Sequence, residues 1–167
     1  ISKDVDEMEK MLNEYLQFTR TGAKDKTETF DISALVSKII IKYENNNIEM
    51  KIKKKIYFNG RKNLITRCIN NLLDNSVKYA KKISVNLEKK NSTILLSIDD
   101  NGPGVDKSEF QNITKPFYKI DKSRSDSKSS VGLGLSISSD IIKSHGGDIK
   151  FDKSKMGGLK VIISLPY

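Results

Sequence analysis

Asn71, Asn75 and Lys78 recur at spacings of four and three, which places them on one side of a helix. Asparagine is a poor helix former, because its amide competes with the backbone for hydrogen bonds, so its recurrence in mid-helix calls for a reason. Its carbonyl oxygen is a neutral ligand for a hard cation, and Mg²⁺ takes such oxygens together with waters and substrate phosphates. Lys78, one turn on, can neutralise phosphate charge. The plainer reading of the same residues is an amphipathic helix with its polar side in water. A second group follows, where a strand-like segment ends Ile98-Asp99-Asp100 and enters Asn101-Gly-Pro-Gly104. Two glycines flanking a proline make a tight turn that lets the backbone approach a flat ligand, and a carboxylate at the strand end can accept from the exocyclic amine of adenine. Alone, the motif is also a simple turn. A third group, Gly132-Leu-Gly-Leu135, opens a helix whose N-terminus offers free N–H groups and partial positive charge to phosphate, though a lone GxG is as often a loop. Lys115, Lys119, Lys122 and Arg124, between the last two groups, are cations within reach of phosphates.

These groups need a scaffold, and 167 residues hold one domain with a real core plus an appended element. The chain is 37% hydrophobic, contains no apolar run of transmembrane length and shows no signal-peptide pattern. It begins with Ile1 rather than Met, which reads as a fragment of a longer protein. A single cysteine, Cys68, excludes an internal disulfide, fits a reducing cytoplasm, and falls on an apolar helix face as a small core residue. The net charge of +9 points either to an anionic partner or simply to a lysine-rich composition, and the second reading is preferred. Lys51-Ile-Lys-Lys-Lys55 is taken as a solvated strand edge.

Along the chain, Ile1, Val5, Met8, Leu12 and Tyr15 form a narrow apolar stripe on a first helix, with acids on its other faces. Such a stripe needs a partner helix, and nothing nearby supplies one, so half of a helical hairpin is preferred over an ordinary amphipathic helix packed on its own domain. Thr21-Gly22 is read as its stop, residues 23–29 as a linker, and residues 30–167 as a compact unit. Asp31 or Ser33 caps a helix carrying Leu35, Val36, Ile39, Ile40 and Tyr43. Ile48 to Phe58 reads as one strand and Asn59-Gly60 as a turn. Arg61 to Ala80 forms a helix, and Lys82–Lys89 with Thr93–Asp100 a hairpin. A short helix over 106–112 and a polar, mobile stretch over 121–130 follow. A helix over 133–144 then stops at His145-Gly146-Gly147, and two last strands, 148–152 and 159–165, meet at a Met156-Gly157-Gly158 turn. The expected architecture is an α+β two-layer sandwich: a mixed sheet of about five strands covered by about three helices, preceded by one long amphipathic helix.

The four motifs Asn71–Asn75, Asp100–Gly104, Lys115–Lys119 and Gly132–Leu135, in that order over about 65 residues, resemble the N, G1, F and G2 boxes of the ATP-binding domain of sensor histidine kinases. Arg67–Ala80 is similar to the N box as a whole, and Ser144-His-Gly-Gly147 to the family's usual Ala-His-Gly-Gly. Residues 1–22 resemble the second helix of a dimerisation and histidine-phosphotransfer hairpin, most nearly that of osmosensor-type (EnvZ-like) kinases. The resemblance implies the Bergerat fold shared with gyrase, heat-shock-90 and mismatch-repair ATPases. Carried over, the ATP-binding set is Asn71, Asn75, Lys78, Tyr79, Asp100, Gly102, Gly104, Val105, Tyr118, Lys119, Val131, Gly132, Leu133, Gly134 and Leu135. Asn75 and Asn71 would hold Mg²⁺, and residues 106–131 would form an ATP lid.

The implied activity is transfer of the γ-phosphoryl of Mg-ATP to a histidine, followed by relay to a response-regulator aspartate. The parent would be a homodimer, joined through the hairpin helices and anchored on the cytoplasmic side of a bacterial inner membrane. No side chain is identified as a general base: related ATPases carry Glu at the place of Asn71, and an amide cannot activate water near neutral pH. The acceptor histidine is absent, since the only histidine, His145, is read as packing or capping a helix end, so no self-phosphorylation is expected. Ser130-Val131 replaces the family's Gly-Thr and loses a hydroxyl and some backbone freedom. Rival readings are an ATPase or anti-sigma serine kinase on the same fold, and a basic nucleic-acid-binding module; no nucleic acid is expected.

Overall fold

A computed structural model describes residues 2–44, 46–116, 118 and 134–167. Its centre is a five-stranded mixed sheet built from β2 (Asn47–Ile52), β4 (Lys82–Lys90), β5 (Thr93–Asp100), β6 (Asp148–Lys153) and β7 (Leu159–Pro166), in the order β2-β4-β5-β7-β6. Only β2 and β4 run parallel; the other pairs are antiparallel. Alternation puts Ile83, Val85 and Leu87 of β4, Ile94, Leu96 and Ile98 of β5, and Val161, Ile163 and Leu165 of β7 on one buried face. Helices α2 (Ile32–Ile41), α3 (Lys62–Tyr79) and α4 (Gly134–Ser144) cover that face with their own apolar sides. The two-layer arrangement is the one expected.

Asp31 caps α2 by accepting from the Ala34 N–H at 3.0 Å, as the sequence suggested. For α3 the cap comes from elsewhere in the chain. Arg61 supplies no side-chain cap, and the Asp25 carboxylate accepts the Leu64 N–H at 2.9 Å instead. Between α3 and α4 the helices meet over small residues: Cys68 is fully buried and trades backbone contacts with Ser138. Burial pushes the Cys68 thiol up to about 12, which suits an inert core residue.

The segment 48–58 is not one strand. Ser33 is buried, accepts the Ile56 N–H and donates to the Lys53 carbonyl, and Lys55 takes a left-handed φ of 62°. The chain therefore breaks after β2, and Tyr57–Arg61 becomes β3 of a separate two-stranded sheet with β1 (Thr27–Asp31). Asn59 and Gly60 lie within β3 rather than in a turn, and the rings of Phe58 and His145 leave room for no side chain at Gly60. Lys51 lies exposed on the edge strand β2, as expected, while Lys53–Lys55 lie beyond it.

The first helix, α1, runs Ser2–Lys24, past the stop assigned to Gly22. Gly22 is not among the left-handed glycines, so it costs some stability without ending the helix. Only two residues separate α1 from β1, so Thr27–Thr29 belong to a strand and the 23–29 linker is shorter than expected. The predicted stripe of Val5, Met8, Leu12 and Tyr15 is more than half exposed. A second face went unnoticed: Met11 and Phe18 pack against the domain, and Arg67 of α3 donates to the Glu14 carbonyl at 3.0 Å. Among the described residues no helix is long and apolar enough to cross a membrane.

His145 joins the end of α4 to the start of α3. Its Nδ1 lies 2.7 Å from the Ile141 carbonyl and must carry the proton there, while Nε2 accepts the Arg61 N–H at 3.0 Å. The ring sits against Phe58, with centroids 5.8 Å apart. Burial, with Arg61 nearby, lowers the pKa of this imidazole from the ordinary 6.5. Protonation at Nε2 would destroy its acceptor, so the contribution of His145 is complete above about pH 6.5 and is lost as pH falls through the lowered folded value. Urea midpoints measured from pH 8 to 5 should fall more steeply below pH 6.5 for the unsubstituted chain than for His145→Gln, and equal slopes would refute this. Leu73→Ala, at a position with no exposed surface, should cost about 2–5 kcal/mol in the same urea titration.

Candidate functional site

Asp100 closes β5 on the inward face of the sheet and is 6% exposed. A buried carboxylate needs hydrogen bonds, and Oδ1 receives two, from the Gly102 N–H at 2.9 Å and the Leu159 N–H at 3.1 Å. The Asp100 carbonyl also accepts the Gly158 N–H at 3.0 Å. With Oδ1 committed to two backbone donors, the carboxylate is held in one orientation. The turn between β6 and β7 forms one wall. A Cβ on Gly158 would overlap the Asp100 carboxylate and come within 2.6 Å of both the Asp100 carbonyl oxygen and the Gly102 nitrogen. Ser154, buried in the same turn, donates to Asp99 at 2.7 Å. Gly104, at φ 73°, faces the Gly157-Gly158 backbone.

The other wall is α3. Asn71, Asn75 and Lys78 are half-buried along it, and Tyr79, 47% exposed, ends it. The Lys78 ammonium lies 5.4 Å from the Tyr79 ring centroid. Asp74 points elsewhere: the Tyr43 hydroxyl donates to it at 2.6 Å, and burial together with that carboxylate raises the tyrosine's pKa. The helix is bracketed by the other two motifs. Near its middle, a Cβ on Gly134, the first residue of α4, would lie 4.0 Å from the Asn71 Cβ. At its C-terminus, a Cβ on Gly102 would lie 2.8 Å from the Tyr79 carbonyl oxygen. Asn71, Gly134, Tyr79, Gly102 and Asp100 are thus gathered around one helix.

Several expectations need adjustment. The small size of Gly102 serves contact with α3, where the sequence suggested approach to a ligand. Tyr118 donates its hydroxyl to Glu109, and Val105 and Leu135 pack half-buried against the core. Between the Asp100 turn and Tyr118, the expected helix over 106–112 is a single 3₁₀ turn, Lys107–Glu109. Lys119, Val131, Gly132 and Leu133 lie outside the described residues, as do Lys122, Arg124 and most of the expected lid. Gly158, Ser154 and the Leu159 N–H were missed. Their only sequence signal was a glycine pair read as an ordinary turn, and nothing local indicates that it abuts Asp100 from 58 residues away. A groove of about 290 Å³, lined by residues such as Phe110, Ser139, Lys143 and Phe151, contains none of the predicted residues.

Among the described residues no group of three or more His, Cys, Asp and Glu could hold a metal ion. A cation at this site would rest on amide oxygens and on the ligand's own phosphates, the donor set that suits Mg²⁺.

Comparison with known proteins fits this geometry. Residues 60–167 match the model of the family described as histidine kinase-, DNA gyrase B- and HSP90-like ATPase. Over 166 residues, 98% of this chain, the sequence is 31% identical to sensor histidine kinase GtrS of Pseudomonas aeruginosa. The chain spans about a third of the length of the curated relatives it matches. Its fold is that of the mycobacterial sensor histidine kinase MprB, at a TM-score of 0.74 and 22% identity, covering 84% of this chain and 97% of that one. Full-length ShkA, solved with AMPPNP, superposes at a TM-score of 0.75 with 19% identity, covering 94% of this chain and 35% of the other. The motif order, the mixed sheet and the family match agree, and the chain belongs to the histidine kinase-, DNA gyrase B- and HSP90-like ATPases, with an ATP-binding domain of the sensor histidine kinase type.

Proposed function

We propose that this chain binds Mg-ATP between α3 and the Asp100 turn and transfers its γ-phosphoryl group to a histidine on another segment or chain. The observation that carries the reading is the bracketing of α3, with Gly134 against Asn71 and the Asp100 turn against Tyr79. Adenine binds at the buried Asp100, whose Oδ2 accepts from the exocyclic amine while Oδ1 stays with its two backbone donors. Tyr79 and Lys78 line the ribose and phosphate side, and the N-terminus of α4 faces phosphate with free N–H groups. The Asn75 and Asn71 amide oxygens would hold Mg²⁺, which would supply charge neutralisation. AMPPNP bound to ShkA, a protein of the same fold, supports an ATP-like ligand.

The residues present favour transfer over hydrolysis. Asn71 cannot take a proton from water, so the site supplies position and charge, the two things phosphoryl transfer chiefly needs. The bond from the γ-phosphorus to the β–γ bridging oxygen breaks, a P–N bond to the imidazole forms, and ADP leaves. His145 is committed to Ile141 and Arg61 and takes no part. Beyond this domain, we infer that α1 is the second helix of a dimerisation hairpin, with its exposed Val5, Met8, Leu12 and Tyr15 stripe meeting partner helices. The whole protein would then be a membrane-anchored homodimer that passes phosphate to a response-regulator receiver domain. An ATPase on the same fold is the second reading, and steady ATP turnover by this chain alone would favour it.

Calorimetric titration with a non-hydrolysable ATP analogue tests the site. Binding should require Mg²⁺ in the unsubstituted chain, and Asn75→Ala should abolish that requirement along with most of the affinity; binding unchanged in Asn75→Ala would overturn the metal assignment. Gly158→Val forces a side chain into the Asp100 carboxylate and backbone, so it should eliminate binding by the same measurement, while far-ultraviolet circular dichroism reports whether the fold persists. Purified domain mixed with [γ-³²P]ATP and a separate histidine-bearing hairpin should label the hairpin, and label appearing only as free phosphate would support the ATPase instead.

A further inference from the structure

We propose that Asn101 is a positioning residue that sets the spacing between the two ends of the nucleotide site, acting through the connection from α3 to β4. The proposal rests on the nucleotide reading above. Asn101 Oδ1 accepts two backbone donors at once, the Lys81 N–H at 3.0 Å and the Lys82 N–H at 2.9 Å. Its own N–H donates to the Lys82 carbonyl at 3.1 Å. Lys81 and Lys82 are where the chain leaves α3 and enters β4; α3 ends at Tyr79, and Ile83 is already paired with Asp100. Asn75, near the last turn of α3, and Asp100, one residue before Asn101, are therefore joined by a single side-chain clamp. The clamp uses only an acceptor oxygen.

Lys81, Lys82 and Asn101 are exposed, so without that acceptor water can satisfy both N–H groups and the fold can persist. What would be lost is the fixed distance between the helix that faces phosphate and the turn that faces purine. A ligand that spans both ends gains affinity from that fixed distance, whereas a ligand that touches only the purine end does not.

The test compares an ATP analogue with the free base adenine on this chain in Mg²⁺. Calorimetry reads the analogue, and chemical-shift titration reads adenine. Asn101→Ala should weaken the analogue about tenfold, the scale of two modest hydrogen bonds, while adenine changes by less than about twofold. Asn101→Asp keeps the acceptor and should restore the analogue. Should Asn101→Ala fail to fold, Asn101→Ser, whose shorter side chain cannot reach both donors, gives the same comparison. Equal losses for both ligands would mean a general structural role or a direct purine contact, and either overturns the proposal. So would an unchanged analogue affinity, or failure of Asn101→Asp to rescue. If the unsubstituted chain binds neither ligand, the nucleotide reading itself falls and this proposal with it.

Discussion

The site depends on keeping a polar helix face unspent while its opposite face is fully buried. Leu64, Ile65, Cys68, Ile69, Leu72 and Leu73 commit one side of α3 to the core, where each apolar side chain gains about 1.5–3 kcal/mol from burial. That commitment fixes the rotation of the helix, so Asn71, Asn75 and Lys78 must face outward together. They hold position because the apolar stripe behind them cannot turn.

A second constraint is the buried Asp100. A carboxylate taken out of water without partners costs several kcal/mol, and here the cost is offset by backbone donors from two separate segments, Gly102 and Leu159. Both must approach closely, and two glycines allow it: Gly158 lies where any side chain would strike Asp100, and Gly102 lies where one would strike the end of α3. The Asp100 turn therefore packs closely against both the β6–β7 turn and the end of α3.

α1 has a divided surface. Met11 and Phe18 rest on the domain, Arg67 reaches across to the Glu14 carbonyl, and Asp25, just past the helix, caps α3. The other face keeps Val5, Met8, Leu12 and Tyr15 in solvent. The capping carboxylate and the Arg67 contact both fall in the first two turns of α3, so the appended helix is tied to the helix that carries the asparagines.

Much of this was legible in the sequence. Periodicity alone identifies α2, α3, the β4–β5 hairpin and the last two strands, since each buries one face and reports its period of 3.6 or 2. The same alternation places Asp100 on the inward face beside Ile94, Leu96 and Ile98. The spacing of Asn71, Asn75 and Lys78 puts them on one side of a helix before any fold is known. Other features depended on contacts far apart in the chain. Gly22 did not stop α1, because a glycine ends a helix only when the backbone turns left-handed there. The strand expected over 48–58 was broken by the hydroxyl of Ser33, which lies 20 residues before Lys53 and 23 before Ile56 in the sequence. Asp25 capping α3, Gly158 against Asp100, and Gly134 against Asn71 carry no local signal, since each is set by which surfaces meet when the layers close. The sequence by itself determined which side chains face together on each element, because that follows from local period. Only the tertiary structure decided which elements face one another, because that depends on packing the whole core at once.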